Sequence, residues 1–533
     1  MEKRLIFAIA LSILIIISFQ YLAPKPPAPQ VSPESYQASA SSPIVAAAKD
    51  EALLSPAPLL PSPDEKELVV ETGKAVITFT NIGGSIKSIQ LKDYKDLVSG
   101  EAFVLSEVQD PRERIFALTS PGVAAGLDSA VYDLKKIGDE IIYSAKASGF
   151  EITKRYRLHK SNYTIGLQVF IQNISASPRE LSYRLVYGSG LKEKSAQDIR
   201  LLEVDSKINE RTIKFKRPKS GEKIINPGSV NWSVVKSKYF SIVLKPLSGT
   251  AGQFYSENKA GQYVSGIESE AITLQPDATI ENRFILFAGP SHIPFLKEAG
   301  YGLEETINYG FFGSISKIIL STLRFCHKIV RSWGVSIILL SIFLNILLFP
   351  LTMKSFKSMQ KMQELHPQME KLKIQYKGSP EKLNKEMMEL YKKYKINPLS
   401  GCLPMLLQMP IFVALYQALM KSLELRNASF LWIKDLSSPD AVRLPFTLPL
   451  IGNSINILPL IMVVGMVLQQ KISTKSMGGA VTDEQKQQQK MMLVIMPIMF
   501  GFIFYNMPSG LVLYWVVNTA LTIVEQGAIL KKA

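Results

Sequence analysis

Apolar residues are unevenly distributed along this 533-residue chain. They concentrate in the first two dozen residues and again after about residue 300, and the region between is polar with short alternating runs. A stretch of about 20 apolar residues can cross a bilayer as a helix. The pattern therefore predicts a polytopic α-helical membrane protein, with one large polar domain between its first span and the others.

Six segments have the length and apolar content of a transmembrane helix: residues 1–22, 333–351, 399–420, 446–468, 491–507 and 511–530. Lys3 and Arg4 precede the first apolar run, and positive residues on that side favour a cytoplasmic N-terminus. No convincing small-residue cleavage site follows this run. A transmembrane signal anchor that stays in the protein is therefore favoured over a cleaved signal peptide.

Residues 23–66 are rich in Pro, Ala and Ser, a composition that predicts an extended linker. Residues 67–300 contain short β-branched runs, such as 75–80, 163–171 and 281–287, separated by clusters of Gly, Asn, Asp and Ser. This spacing predicts a large all-β sandwich domain. Because the domain follows a span that leaves the cytoplasm, we expect it to be extracytoplasmic.

Residues 301–332 have an amphipathic pattern, since Ile315, Ile319 and Leu323 recur at helical spacing. We favour a helix that lies in the membrane interface. The same apolar stripe would also suit an ordinary helix packed on the β domain, and that alternative stays open.

Residues 354–397 are rich in lysine, and lysine-rich loops between spans stay in the cytoplasm. Methionine and leucine recur at helical spacing on both sides of Gly378-Ser-Pro380, which predicts a cytoplasmic hairpin of two helices. Lysines also occur in a second predicted cytoplasmic loop, residues 469–490, and at the end of the chain. We therefore expect a multi-pass membrane protein with both termini in the cytoplasm.

The formal net charge is +16, from 61 Lys and Arg against 45 Asp and Glu. Because many of the lysines flank apolar runs, the charge indicates membrane topology and no direct nucleic acid specificity. Two cysteines exclude a disulfide framework, and four scattered histidines show no metal-ligand spacing. A phosphate-binding loop and a nucleophile elbow are also missing, so we predict neither enzymatic activity nor a cofactor or metal.

Several polar residues fall within the predicted spans, among them Ser341, Asn345, Gln408 and Asn518. A polar group in hydrocarbon has to face protein or a wet cavity. Ser341 and Asn345 are four residues apart and share one helix face. Hydrogen bonds that hold helices together and a functional polar cavity both explain the pattern.

Methionines cluster near the cytoplasmic edge of the predicted spans. Methionine is a common core filler, and it also suits flexible surfaces that accept varied apolar partners. The second interpretation predicts a landing surface for hydrophobic segments, made of Met353, Met359, Met362, Met387, Met388 and Met491.

Four motifs carry a resemblance to a known family: Phe349-Pro-Leu-Thr352, Asn397-Pro-Leu-Ser-Gly-Cys-Leu-Pro-Met-Leu-Leu-Gln-Met-Pro-Ile-Phe-Val-Ala-Leu-Tyr416, Glu424-Leu-Arg426 and Pro508-Ser-Gly-Leu-Val-Leu-Tyr-Trp515. With them the chain resembles the YidC/Oxa/Alb family of membrane protein insertases, in its Gram-negative branch. Sequence matching is strong from about residue 333 onward.

The resemblance implies a membrane protein insertase and chaperone of the cell inner membrane that acts alone or with the Sec translocon. Its five-helix core, residues 333–533, would hold a hydrophilic groove open to the cytoplasm and the lipid, lined here by Ser341, Asn345, Gln408, Trp515 and Asn518. Nascent membrane proteins, the Sec translocon, the ribosome, the signal recognition particle receptor and the lipid bilayer are the implied partners. Asn345 stands where the family usually has an arginine, and asparagine cannot offer a fixed positive charge.

Two other classes of function, a transporter or channel and an envelope scaffold, can be distinguished from an insertase. A transporter or channel would need repeats or charges along a path through the membrane, and no Asp, Glu, Lys or Arg lies well inside a predicted core span. An envelope scaffold would depend on its β domain, whereas an insertase should largely survive deletion of residues 67–290.

Overall fold

The computed structural model describes residues 65–95, 100–120, 126–191, 202–215, 221–248, 252–259, 262–394, 403–448, 452–475 and 483–532. They belong to one compact unit of the chain. The predicted signal anchor and nearly all of the predicted linker lie outside the described residues.

Short β-branched segments of the polar region form twenty strands within the described residues. In chain order they are β1 Glu67–Glu71, β2 Ala75–Thr80, β3 Ser85–Lys95, β4 Ala102–Glu107, β5 Leu118–Thr119, β6 Asp133–Ile137, β7 Glu140–Ala147, β8 Phe150–Leu158, β9 Thr164–Asn173, β10 Arg179–Leu181, β11 Arg184–Gly188, β12 Glu203–Ile208, β13 Arg211–Phe215, β14 Lys223–Pro227, β15 Val230–Lys236, β16 Phe240–Pro246, β17 Gly252–Lys259, β18 Gln262–Ser269, β19 Ile272–Leu274 and β20 Thr279–Pro290.

These strands pair into antiparallel sheets around one core. The largest sheet has nine described strands in the order β13-β12-β15-β16-β20-β9-β8-β7-β6, and a second has five in the order β14-β17-β18-β11-β5. Strands β1 to β4 form a four-stranded meander, and β10 pairs with β19. Alternation decides which side chains enter the core: in β9, Ile165, Leu167, Val169 and Ile171 are buried. The predicted all-β sandwich is confirmed.

Helices dominate the rest of the described chain. They are α1 Ile293–Ala299, α2 Gly313–Val330, α3 Trp333–Glu364, α4 His366–Gln375, α5 Pro380–Lys393, α6 Leu403–Met420, α7 Ile457–Lys475, α8 Asp483–Phe504 and α9 Ser509–Lys532. Among the described helices, only the segment Trp333–Ser358 is long and apolar enough by itself to cross a membrane. Shorter apolar segments are Gln408–Met420, Ile457–Ser473 and Leu493–Phe504.

Helices α2, α3, α6, α7, α8 and α9 share a second apolar core, separate from that of the β domain. Its fully buried side chains include Ile337, Leu415, Met462 and Leu511. Helix α2 packs on α6, where Ser316 Oγ donates to the carbonyl of Ala414 at 2.9 Å. The alternative that this helix packs on the β domain is therefore not what the structure shows.

The predicted helical span 446–468 is wrong at its start. Instead, β21 Val442–Leu448 and β22 Gly452–Ile455 pair as antiparallel strands, and α7 begins only at Ile457. Pro445 lies within this segment, and proline removes a helix hydrogen bond and clashes with the preceding turn. A short apolar run with proline favours an edge strand or a turn over a helix.

Other predicted bounds also shift. The predicted second loop, residues 469–490, is helical at both ends, because α7 runs on to Lys475 and α8 begins at Asp483. The predicted helix 301–332 is shorter, Gly313–Val330, and follows a 3-10 turn at Leu303–Thr306. Helix α3 continues past the predicted end of its span at residue 351 to Glu364.

Candidate functional site

Asn345 and Asn518 meet between α3 and α9. The Nδ2 of Asn345 donates to Asn518 Oδ1 at 2.8 Å and to the carbonyl of Ser341 at 2.9 Å. Both asparagines are half-buried. Ser341, one turn earlier on α3, is fully buried, and its hydroxyl donates to the carbonyl of Ile337 at 2.8 Å. The structure thus pairs Asn345 with Asn518, and Ser341 lies in packed protein one helical turn earlier.

Gln408 makes a second polar contact with α9. Its Nε2 donates to the hydroxyl of Tyr514 at 2.7 Å, and Tyr514 is otherwise buried. A phenol suits such a position because its ring packs with apolar neighbours while its hydroxyl takes a hydrogen bond. We did not predict Tyr514 as a site residue. The sequence signal that could have identified it is the presence of a tyrosine inside an apolar span.

Trp515 lies in an aromatic cluster on the neighbouring face. Its ring centroid is 5.2 Å from those of Phe412 and Phe504 and 5.8 Å from that of Phe500. The cluster ties α6, α8 and α9 together, and offset or edge-on aromatic pairs add stability beyond area burial. Trp515 is half-buried, so one part of it remains accessible.

Helix α9 also bonds to α7, through Ser473 Oγ and Gln526 Oε1 at 3.1 Å. The two helices approach closely because Gly465 faces Thr519, where an added Cβ would lie 3.3 Å from the threonine methyl. Sequence reasoning did not single out Ser473 or Gln526. Helix α9 therefore carries polar contacts to α3, α6 and α7, and it is the common element of the polar site.

The predicted landing surface is spread over three helices, α3, α5 and α8. Met353 and Met362 are half-buried on α3, Met387 is half-buried on α5, and Met388 is 50% exposed there. Helix α5 buries no side chain fully. The side chains of Met359 and Met491 lie outside the described residues.

Glu424 anchors a polar joint near the start of the loop that follows α6. Its Oε1 accepts from Arg324 Nε at 2.7 Å and lies 2.7 Å from His292 Nε2, and its Oε2 accepts from Ser422 at 2.8 Å. Burial alone would raise the pKa of the Glu424 carboxyl, but the contacts with His292 and Arg324 outweigh it and hold the pKa well below its usual range. The joint connects the end of β20 to α2 and to the helical core.

Arg426, two residues on, reaches into the β domain. Its guanidinium carbon lies 5.4 Å from the ring centroids of Phe103 and Tyr239 and 5.3 Å from that of Phe240. A planar cation over aromatic faces is attracted by the ring quadrupoles. The motif Glu424-Leu-Arg426 thus docks the β domain on the helices.

Hydrogen bonds connect the segment that follows this joint to the first turns of α7 and α9. The amides of Ser509 and Gly510 donate to the carbonyls of Ser438 and Leu436 at 2.8 and 2.9 Å. Asp440 Oδ2 accepts from the amides of Ile457 and Leu458, each at 2.8 Å, and so caps α7. We call the segment 425–441, together with these bonds, the closed end.

Within the part of the chain that the structure describes, no group of three or more His, Cys, Asp or Glu is placed to hold a metal ion. The polar site consists of amides, hydroxyls and an indole. Such groups can exchange hydrogen bonds with a passing peptide and supply no nucleophile with an activating base.

Comparison with known proteins matches both regions of the chain. Residues 67–322 match the family model of the YidC periplasmic domain, and residues 325–533 match the 60Kd inner membrane protein family. The membrane protein insertase YidC of Pelobacter propionicus is 36% identical, over 99% of this chain and 98% of that protein. The YidC of Geotalea daltonii is 33% identical, over 100% of this chain and 99% of that protein.

Solved structures give weaker similarities. A crystal structure of an active YidC insertase with its first transmembrane domain resolved is 20% identical, covers 87% of this chain and 93% of its own, and has a TM-score of 0.37. A galactose mutarotase related enzyme from Lactobacillus acidophilus covers 42% of this chain and 97% of its own, at 11% identity and a TM-score of 0.32. By its relatives and family models, the chain belongs to the YidC family of membrane protein insertases, with a periplasmic β domain and an inner-membrane insertase region.

Proposed function

We propose that this insertase moves its substrates along a hydrophilic groove formed by α3, α6 and α9, open to the cytoplasm and to lipid. One observation carries the proposal: the bonds Asn345–Asn518 and Gln408–Tyr514 place exchangeable polar groups between helices whose other side chains are mostly apolar. Asn345, Gln408, Trp515 and Asn518 are only half-buried, so a peptide can reach them after a small opening. Ser341 becomes a lining residue only once α3 and α9 separate.

The physical role of such a groove is to lower the cost of moving a polar tail through hydrocarbon. An unpaired polar backbone group there costs several kcal/mol. Side-chain amides offer replacement hydrogen bonds, which a neutral asparagine supplies for tails of either charge. The apolar part of the substrate then enters lipid, and burial of its surface drives insertion without a nucleotide.

The apolar outer surface of the helices supports a membrane position with six spans, counting the predicted signal anchor. Ile346 on α3 is 67% exposed, Phe502 on α8 83% and Val524 on α9 67%. Exposed apolar patches of this kind mark interaction or lipid-facing surfaces. In this topology both termini, the hairpin of α4 and α5 and the residues between α7 and α8 lie in the cytoplasm.

Helix α5 fits the role of a landing surface for hydrophobic segments. It is amphipathic, none of its side chains is fully buried, and Met388 is exposed. Flexible methionines accept apolar partners of varied shape. Nascent membrane proteins are the proposed substrates, and the Sec translocon, the ribosome and the signal recognition particle receptor are proposed partners on the family resemblance.

Site-specific photo-crosslinking to a nascent membrane protein tests the groove. A crosslinker in place of Asn345 or Trp515 should capture the substrate during insertion. The matched control is Ile346, which is next to Asn345 on α3 and faces outward. Equal capture from Ile346 and Asn345, or capture from Ile346 alone, would place the substrate on the lipid face and reject the groove.

A further inference from the structure

A cavity of about 150 Å³ lies where the β domain meets the end of α6. Glu203 and Lys236 of the largest sheet form one side, and Gln417 and Lys421 form the other. The volume is enough for several water molecules or one phosphate group, at about 30 Å³ per water. The cavity is separate from the polar groove residues Asn345 and Asn518.

Three buried polar atoms in the cavity wall have no hydrogen-bond partner among the described residues. They are Ser291 Oγ, Gln417 Oε1 and Glu203 Oε2, and the Glu203 oxygen lies in an ion pair 3.2 Å from Lys236 Nζ. Leaving such a group unpaired costs about 1–3 kcal/mol, so native proteins usually supply a partner. A ligand that both accepts and donates hydrogen bonds would satisfy the hydroxyl and the amide oxygen together.

Three lysines and one carboxylate line the cavity. Lys236 is paired, with Asp205 at 2.6 Å and Glu203 at 3.2 Å. Lys238 Nζ donates to the carbonyl of Ser437 at 3.1 Å, and Lys421 also lines the cavity. Lys421 Nζ donates to the carbonyl of Asn308 at 3.0 Å, and none of the described carboxylates lies within ion-pair distance of it. Burial lowers the pKa of Lys421, and an anion beside it would oppose that shift.

We propose that this cavity binds the headgroup of an anionic phospholipid of the phosphatidylglycerol type, from the outer leaflet. Lys421 faces the phosphate diester, the hydroxyl of Ser291 donates to a phosphate oxygen, and Gln417 Oε1 accepts from a hydroxyl of the headgroup. Lysine is a common phosphate ligand, and basic pockets beside membrane helices bind anionic headgroups.

The surroundings favour a lipid over a free phosphate ion. Ile307 and Met420 supply an apolar wall to the same cavity. Gly310 lies against Gln417, with an added Cβ only 2.7 Å from the amide nitrogen, and the next residue, Phe311, is 93% exposed. An exposed phenylalanine beside a basic cavity suits the boundary between headgroups and acyl chains. The choice of leaflet rests on the periplasmic position of the β domain.

Native mass spectrometry of the full-length protein in detergent tests the proposal, with phosphatidylglycerol and phosphatidylcholine as the added lipids. The wild type should retain phosphatidylglycerol, and Lys421→Gln should weaken that retention about tenfold, since one charge-assisted hydrogen bond is lost. Lys317→Gln is the matched control, because Lys317 is an exposed lysine of α2 that does not line the cavity. Ser291→Ala is a milder second variant that should weaken retention less.

Equal retention of phosphatidylglycerol by the wild type, Lys421→Gln and Ser291→Ala would overturn the proposal, as would equal retention of the two lipids by the wild type. Inorganic phosphate is the third probe. If it raises the melting temperature as much as the lipid does, the site takes a soluble anion and the lipid assignment fails. An insertion assay on the same variants reports on the groove separately, so failure of one hypothesis is distinguishable from failure of the other.

Discussion

Asn345 illustrates how a single polar side chain is accommodated in an apolar helical core. One of its amide hydrogens goes to the carbonyl of Ser341 on its own helix, and the other goes to Asn518 across the helix interface. Interhelical bonds of this kind contribute about 1 kcal/mol or less. They are therefore weak enough to exchange with a substrate, whereas fully buried Ser341 has no such freedom.

Replacing Asn345 by arginine should be tolerated. Asn345 is half-buried, and Asn518 Oδ1 can accept a hydrogen bond from a guanidinium as readily as from an amide. Thermal unfolding in detergent should show a loss of about 1 kcal/mol or less, the size of the bond replaced. Ser341→Arg is the matched control and should fail to fold, because that site is fully buried. Equally severe misfolding of Asn345→Arg would mean that its site is dry.

The loop after α6 is the element that joins the two halves of the molecule. Glu424 faces His292 and Arg324, while Arg426 stacks on rings of the β domain. The two residues lie on opposite sides of buried Leu425, so one 3-10 turn, Leu423–Leu425, positions both. The closed end, residues 425–441, begins at the last residue of this turn.

Glu424→Gln should lower the stability of the protein and weaken its dependence on pH. The pKa of Glu424 is below its usual 4.5, so the unfolded state binds more protons at acid pH. Its contribution is full above about pH 4.5 and disappears as the pH falls further. At pH 7 the variant should lose about 2 kcal/mol, typical for a hydrogen bond to a charged group.

Thermal unfolding in detergent at pH 7 and pH 4 measures both effects. Glu298→Gln, on the exposed side of α1, is the control and should match the wild type. A variant at position 424 that is as stable as the wild type at pH 7 would show that the joint contributes little.

At the scale of the whole molecule, the described residues form two main apolar cores, one in the β domain and one among the helices. Polar and cation–aromatic contacts connect them at Glu424, Arg426 and Lys238, and the apolar side chain of Ile307 packs against both cores. Domain interfaces that contain many polar contacts resemble transient protein–protein interfaces. We therefore expect the helical core to fold and act with the β domain removed.

Deletion of residues 67–290 should leave most of the insertion activity intact. The helices should unfold at a lower temperature, because Arg426 loses the rings of Phe103, Tyr239 and Phe240. Insertion of a two-span membrane protein in depleted cells measures activity, and detergent unfolding measures stability. If the truncated protein reaches the membrane at normal levels and insertion is abolished, the β domain has an essential role as a scaffold.

The sequence predicted the β domain and most helices because their periods are strong over many residues. It also located Asn345 and Asn518 as polar residues within spans. The sequence did not predict the pairing of β21 and β22, because a short apolar run is compatible with either a strand or a helix. Pro445, just before the predicted span, is the residue that favours a strand. The sequence could not predict the polar joint at Glu424, because His292 and Glu424 are 132 positions apart and no local pattern links them.

The closed end has a consequence for the energy supply of the cell. Ser509 and Gly510 are bonded to the 425–441 segment, and Asp440 fixes the first turn of α7. A tunnel open at both ends would let protons and sodium ions run down their gradients each time a substrate passed. In the groove proposed above, a base held shut by these bonds would let polypeptide enter and leave sideways while the membrane stays electrically tight. Such an insertase would work continuously in a respiring membrane without discharging it.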